Sequence, residues 1–458
     1  MIKAHFLLLF AASLAQAATP PLPDFSLAGY HGGGKPLPDA AVTVSVKKFG
    51  AAGNGTTDDT AAFRKAVAET DAGVIFIPAG RYVLTDTVQI KKSGLVLRGA
   101  GMEKTILVIP KSLQRIHPKD SIESSKSPYS FGGAFIEVHS SNRGKLLSAV
   151  AVASPRGARQ VTLRDASKLS AGDWLQLVMN NDPALGRHIH ANKADVGEDT
   201  MKHKSFFNWA ARVTAVNGNT VTLDRALRLD IRPEWGAEAW SWEPSVQEVG
   251  IEDIGFEFPG IAKKPHLKEE GFNAIQMHGA ANSWVRRVRI VDADNGVILG
   301  GCRFCQVEQT VFTAAKRKDP SGHHALWATG FSQDCLFSGF DIRTKYVHDL
   351  TVEGFASGNV FMKGRAVSMN FDHHRNGPYE NLFTDLYAGD QRRLWESSGR
   401  EDRGPHAGAR ETFWNIRGNG AKTPATPDWP EIITVGICSA LRGQPPNLYE
   451  AQRAQKPK

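Results

Sequence analysis

Short runs in which apolar and polar residues take turns recur along this 458-residue chain, at 249–258, 283–293, 305–314, 347–356, 379–388 and 411–418. Their starts lie about 20 to 40 residues apart, the spacing of repeat architectures whose turns carry insertions. Alternation sends successive side chains to opposite faces of a strand, so each run presents one apolar face that it cannot bury alone. Stacking on the neighbouring run buries it. A chain of this length would ordinarily divide into two or three globular domains, but stacked coils escape that expectation because each contacts only its neighbours. Second strands lie between the runs, at 295–299 and 359–362, and earlier coils are visible at 74–78, 87–90, 95–99 and 105–109.

The pattern predicts an all-β fold organised in segments. Residues 1–17 read as a signal peptide: Lys3 opens it, an apolar run follows from Phe6 to Leu14, and Ala15-Gln16-Ala17 supplies small residues for cleavage. Residues 18–147 form an N-terminal cap and the first coils. Residues 148–242 break the coil pattern, with Asn217-Gly218 set between two alternating strands, and read as an inserted antiparallel β module. The main coils occupy 243–420, and 421–458 is a closing segment and tail. The insertion stands either as one wall of a substrate groove or as surface padding.

The formal charge of +8 and the absence of any long apolar run after the leader point to an exported protein, secreted or periplasmic, with an anionic partner. No membrane segment is expected. No basic block interleaved with aromatics is present to track a phosphate backbone, so acidic polysaccharide is favoured over nucleic acid. The expected state is a monomer or weak oligomer. Four cysteines are too few for a disulfide scaffold, and Cys302-x-x-Cys305 lacks the second close pair that zinc would want. One bridge, Cys305 to Cys335 on adjacent coils, is the expectation.

The stretch from Val46 to Thr60, VKKFGAAGNGTTDDT, runs into a helical pattern with Ala62, Phe63, Ala66 and Val67 on one face, then into Val74-Ile75-Phe76-Ile77-Pro78-Ala79-Gly80-Arg81-Tyr82. Gly53, Asn54 and Gly55 suit a tight turn, and Thr57 or Asp58 suits a helix cap. This passage resembles the opening of the pectate-lyase superfamily. The resemblance implies a single-stranded right-handed parallel β-helix with an N-terminal capping helix, and a carbohydrate-active protein. It also implies that the Asp and Gly residues here are scaffold. The superfamily spans lyases, glycoside hydrolases and phage depolymerases, so the resemblance speaks to fold more firmly than to reaction. Calcium serves many lyases resembling this superfamily and stays open here, although no Asp-x-Asp-x-Asp loop gathers its oxygen ligands. No other metal is expected.

The densest polar cluster is Asn370 to Asn381, containing Asp372, His373, His374, Arg375 and Tyr379 in a turn between coil strands. One coil earlier come His323 and His324; one coil later, Arg393, Glu396, Arg403 and Arg410. In-register coils would bring these turns to one flank. Eliminative cleavage of a uronate chain needs a cation for the carboxylate, a base for the C5 proton and a donor for the leaving oxygen. Arg375 or Arg410 fits the first, His373 or His374 the second and Tyr379 the third. His323, His324, Arg393 and Glu396 are expected to contact substrate, and Trp209 to stack on sugar from the rim of the insertion. Asp341, Asp372, Asp385 and Glu396 on nearby coils are the carboxylates available if the reaction is instead hydrolysis by paired acids. Adjacent residues on extended backbone point to opposite sides, so at most one of each His-His pair should face a given groove. A lyase acting on an acidic polysaccharide leads; a glycoside hydrolase and a non-catalytic glycan-binding protein are the alternatives.

Overall fold

The computed structural model describes residues 22–120, 126–390, 393–419, 428–437 and 443–456. The expected signal segment and Cys438 lie outside the described residues. The chain winds as a parallel β-helix. Each main coil places one strand in a seven-stranded parallel sheet, formed by Val88–Ile90, Ile136–His139, Asn273–His278, Asn295–Gly300, Gly322–Thr329, Tyr346–Val352 and Phe371–His373. The chain then turns into a larger, sixteen-stranded sheet through strands such as Gly250–Glu257, Trp284–Val291, Gln306–Thr313 and Leu382–Asp390.

Two corners are sharp because single residues take left-handed backbone. One column is Asp253, Arg287, Gln309, Gly339, Lys363, Asp385 and Asn415; the other is Glu248, Asn282, Phe304, Asp334, Gly358, Glu380 and Arg410. Most are not glycine, so these corners are costly, on the order of 1–3 kcal/mol each, and are held by the packing on both sides. Between the corners one column of the interior is stacked like on like. Phe337, Phe361, Phe383 and Phe413 form a ladder with ring centroids 4.4, 4.9 and 4.9 Å apart and nearly parallel planes. Each ring fills the space between its neighbours and excludes water from the coil axis.

The helix Thr60–Glu69 buries Ala62, Phe63, Ala66 and Val67 over the first coil, as the apolar spacing predicts. Asp58 Oδ1 accepts the Thr60 amide at 3.0 Å, and the buried Asp59 carboxylate accepts the amides of Ala52 at 2.5 Å and Gly53 at 3.1 Å. Both acids are therefore structural. At the other end, Trp429 packs on Phe413 and closes the core, while the helix Leu448–Ala454 lies along the outside of the larger sheet. There its Leu448 and Tyr449 join Phe25 and Ala28 in covering Leu336, Val360 and Leu382. Only part of the C-terminal segment closes the solenoid; the rest clamps its flank.

The insertion is a closed antiparallel barrel of six strands, Leu146–Val152, Gln160–Leu163, Trp174–Asn180, Ser205–Asn217, Thr220–Leu223 and Glu238–Ser241. The hairpin expected at Asn217-Gly218 joins Ser205–Asn217 to Thr220–Leu223. Trp209 faces the barrel core and is 1% exposed, which removes it as a sugar-stacking ring. Cys302, Cys305 and Cys335 are free and buried, so the expected Cys305–Cys335 bridge is replaced by thiols packed in the core.

A buried charge network fastens the barrel to the coils. Asp334 takes Arg225 at 2.7 Å and Arg228 at 2.6 Å; Glu380 takes Arg228 at 3.1 Å, Arg156 at 2.8 Å and Arg410 at 2.7 Å. Asp334 and Glu380 stand at the left-handed corner, and Gly358 lies between them in the same column. A Cβ on Gly358 would come within 2.3 Å of both Arg228 Nη2 and Asp334 Oδ1. Removing one partner of such a network strands buried charge, at a cost of about 3–5 kcal/mol. Asp334→Asn should lower unfolding stability by roughly that amount in urea titration. An effect under about 1 kcal/mol would show that the network does not hold the barrel in place.

Candidate active site

The outer face of the seven-stranded sheet carries the polar residues. Along it, Gln276, Ile298, Trp327, Thr351 and Asp372 stand in register, one per coil. The neighbouring column, Met277, Leu299, Ala328, Val352 and His373, points inward. Strand alternation therefore divides the pair as anticipated: His374 faces out and His373 faces in. His323 and His324 depart from that rule, since both line the same cavity.

That cavity, about 510 Å³, lies between the sheet face and the loops above it. His323, His324, Trp327, Glu353 and His374 come from the sheet or the turns at its edge. Asp199, Lys202 and His203 come from the inserted module, and Arg403 from the loop after the last sheet strand. The insertion thus builds a wall. Its position is fixed in part by Thr200, whose hydroxyl reaches Asn376 Oδ1 at 2.6 Å and the Arg403 carbonyl at 2.9 Å.

Asp372 organises the floor. Its Oδ2 accepts His374 Nδ1 at 2.9 Å and the Thr351 hydroxyl at 3.2 Å, and Oδ1 accepts the Ser398 amide at 3.0 Å. Burial opposes its charge, but His348, His374 and these hydrogen bonds outweigh it and hold the carboxyl well below its ordinary range. Burial would likewise depress His374, but the Asp372 charge and hydrogen bond lift it to about 8. It is therefore an imidazolium at neutral pH, with Nε2 the nitrogen left for a ligand. His324 differs. Its Nδ1 lies 2.8 Å from Thr351 Oγ1, and that hydroxyl already donates to Asp372, so Nδ1 must carry the proton and Nε2 a lone pair. Burial and the surrounding histidines push its pKa well down and keep it neutral. The two rings, one charged and one bare, have centroids 6.0 Å apart on the same face.

Cations occupy the opposite wall. Arg403 Nε lies 3.2 Å from Asp199 Oδ2 and Lys202 Nζ 3.2 Å from Asp199 Oδ1, so one carboxylate positions both. Trp327, Phe331 and Phe355 line the cavity with flat apolar surface; Trp327 stacks on His324 at 4.0 Å and Phe331 on Phe355 at 5.2 Å.

The other expected site residues lie elsewhere. His373 is fully buried, with Nε2 3.2 Å from Glu411 Oε2 and its ring against Trp429, so it cannot serve as a base. Tyr379 packs between barrel and coils, and burial raises its pKa; it has no route to a leaving oxygen. Arg375 is spent on the carbonyls of Gly399 and Gly404. Arg393 holds Asp349 and the Ser368 carbonyl, and Arg410 is paired with Glu380 and Glu431. Glu396 is exposed and does not line the cavity. Its backbone carbonyl, rather than its side chain, accepts from Asn370. Missed by the sequence reading were His266 and His348, which lie against the paired histidines, and Glu353 and Lys202 on the cavity. For His348 a signal existed: it stands one coil after His324 in exact strand register.

Calcium finds little here. The two groups of three ligand-type side chains among the described residues, His266/His323/His348 and His348/Asp372/His374, are dominated by imidazole nitrogen, whereas calcium wants six to eight oxygens.

Residues 43–143 match the family described as rhamnogalacturonase A/epimerase, pectate lyase-like. The match covers less than a quarter of the chain, which is a right-handed parallel β-helix. A 64-residue stretch is 39% identical to the pre-neck appendage protein of Bacillus phage B103, covering 14% of this chain and only 7% of that one. Solved structures similar to this chain include a pectin methylesterase in complex with a hexasaccharide and the tailspike protein gp49 from Pseudomonas phage LKA1. The esterase is 12% identical, over 86% of this chain and 94% of the other, with a TM-score of 0.40. The tailspike is also 12% identical, over 86% of this chain and 78% of its own, with a TM-score of 0.39.

The Asp372 pairing has a measurable signature. In chelator-treated protein, the His374 ring should titrate with a midpoint near 8 by NMR and be protonated below it. In Asp372→Asn the midpoint should fall below 7, toward or under the ordinary histidine value of about 6.5. A midpoint unchanged by Asp372→Asn would remove the carboxylate from the site.

Proposed function

We propose that this protein is an exported polysaccharide lyase that cleaves a uronate-containing chain by β-elimination in the cavity over the seven-stranded sheet. The observation that carries the reading is the pairing of a charged His374 with a neutral, bare-nitrogen His324 on one face, opposite two cations. Elimination asks for those groups. Arg403 and Lys202 receive the substrate carboxylate and disperse the negative charge that develops when the C5 proton leaves. His324 Nε2 takes that proton, with Thr351 holding the opposite nitrogen. The electron pair forms the C4–C5 double bond, the C4–O bond breaks, and His374 donates its proton to the departing oxygen. Placing base and donor on the same side of the sugar favours a syn course. Phe331, half-buried at the cavity, offers apolar surface to a neighbouring ring.

Hydrolysis is less well supplied. It needs a carboxyl kept protonated by its surroundings. Of the carboxylates on the cavity, Asp199 is held below its ordinary pKa by Lys202, Arg403 and Arg400 despite its partial burial, and Glu353 accepts the Thr329 hydroxyl at 3.0 Å.

Incubation with a panel of uronic, sulfated and neutral glycans should release products with ultraviolet-absorbing unsaturated ends from at least one uronate polymer. New reducing ends without that absorbance would mean hydrolysis, and binding without either would mean a lectin-like protein. His374→Gln and His324→Ala should each lower kcat by about 100- to 10,000-fold with circular dichroism unchanged. Arg403→Met should both raise KM and lower kcat, since Arg403 holds the carboxylate and disperses the developing charge. Full activity in either histidine variant would move the reaction out of this cavity.

A further inference from the structure

His266, His323 and His348 converge beside the cavity from three different parts of the chain: the loop after Gly250–Glu257, the strand Gly322–Thr329 and the strand Tyr346–Val352. One ligand atom from each falls within 4.8 Å of the other two. His266 Nε2 and His323 Nε2 are 3.1 Å apart. A tetrahedral ion with bonds of about 2.0–2.1 Å would separate its ligand atoms by roughly 3.3 Å, so this pair already stands near the spacing of two ligands on one ion.

The hydrogen bonding is the second observation. His348 is 3% exposed, yet its Nε2 makes no hydrogen bond. Buried polar nitrogens left without partners are uncommon and call for a ligand. Carboxylates stand behind two of the three rings. Asp372 Oδ2 is 3.2 Å from His348 Nδ1, and Glu269 Oε2 is 3.7 Å from His323 Nδ1. Carboxylates that orient the far nitrogen of a ligating histidine are the usual support of such sites. Lys263, beside the cluster, is neutralised by Glu269 at 2.9 Å.

We propose that His266, His323 and His348 bind one zinc-class divalent ion, at the end of the cavity that His323 lines. Three imidazoles suit zinc and its first-row neighbours and are poor ligands for calcium or magnesium. His266 is exposed, which gives the ion an entry route and leaves room for a fourth ligand from solvent or from an anionic ligand in the cavity. The ion would add positive charge to a space that already holds Lys202 and Arg403. It does not depend on the elimination reading, because binding is measured without any substrate.

Tag-free, chelator-treated protein titrated with zinc chloride in a calorimeter at neutral pH should bind one equivalent. Cobalt(II) should give the intense visible bands of a tetrahedral site, and zinc should abolish them. His266→Ala, an exposed position that does not endanger folding, should weaken zinc binding at least tenfold with an unchanged melting curve. His348→Ala should abolish it, and where that variant fails to fold, His266→Ala and His323→Gln carry the test. Calcium chloride should give no heat at this site. No saturable zinc binding by the folded wild-type protein would overturn the proposal. So would binding whose affinity and cobalt spectrum are the same in His266→Ala and His323→Gln, which would place the ion elsewhere on the surface.

Discussion

Parallel backbone pairing from coil to coil is what everything else in this molecule rests on. Each rung hydrogen-bonds to the next without a shift across Asn295, His324 and His348, and likewise across Trp327, Thr351 and Asp372. Residues separated by 20 to 50 positions are thereby set side by side at the strand spacing of about 4.8 Å. A slip of one residue in any rung would turn its outward side chains into the core and dismantle the histidine face. The interior resists such a slip. The four-ring phenylalanine ladder shows it most plainly, because a slip would break its stacking.

Charge plays the complementary part at the seam with the inserted barrel. The two left-handed corner acids, Asp334 and Glu380, each serve more than one arginine, so the barrel is located by several directional contacts rather than by apolar area alone. Since the barrel supplies Lys202 and His203 to the cavity, the network also sets the distance between the cationic wall and the histidine floor. Stability and site geometry are linked here through the same four arginines.

The fold was largely legible because both of its signals are local. Alternation marks the strands, and the Gly-Asn-Gly turn followed by an amphipathic decapeptide marks the cap. Barrel closure was not legible: pairing of Leu146–Val152 with Glu238–Ser241 joins segments some ninety residues apart, and no local pattern announces it. The site was half legible. Tandem histidines at 323–324 and 373–374 drew notice as clusters, and three of the four do line the cavity. Sequence could not say which way each ring points. His373 and His374 are neighbours with opposite fates because one strand residue separates core from cleft. The arginines misled for a related reason. Guanidinium groups in tight polar turns are as useful for tying down carbonyls as for meeting substrate, and Arg375 and Arg393 do the former. His266 escaped notice because it sits alone in a long loop, with nothing in its neighbours to suggest company.

The two described ends of the chain meet on the flank of the larger sheet. Gln452 donates to the Pro23 carbonyl and accepts the Phe25 amide, while Tyr449 donates to the Ala28 carbonyl at 2.7 Å. This clasp lies on a different sheet from the histidine face. Both described ends are therefore held on a side wall, away from the entrance to the cavity.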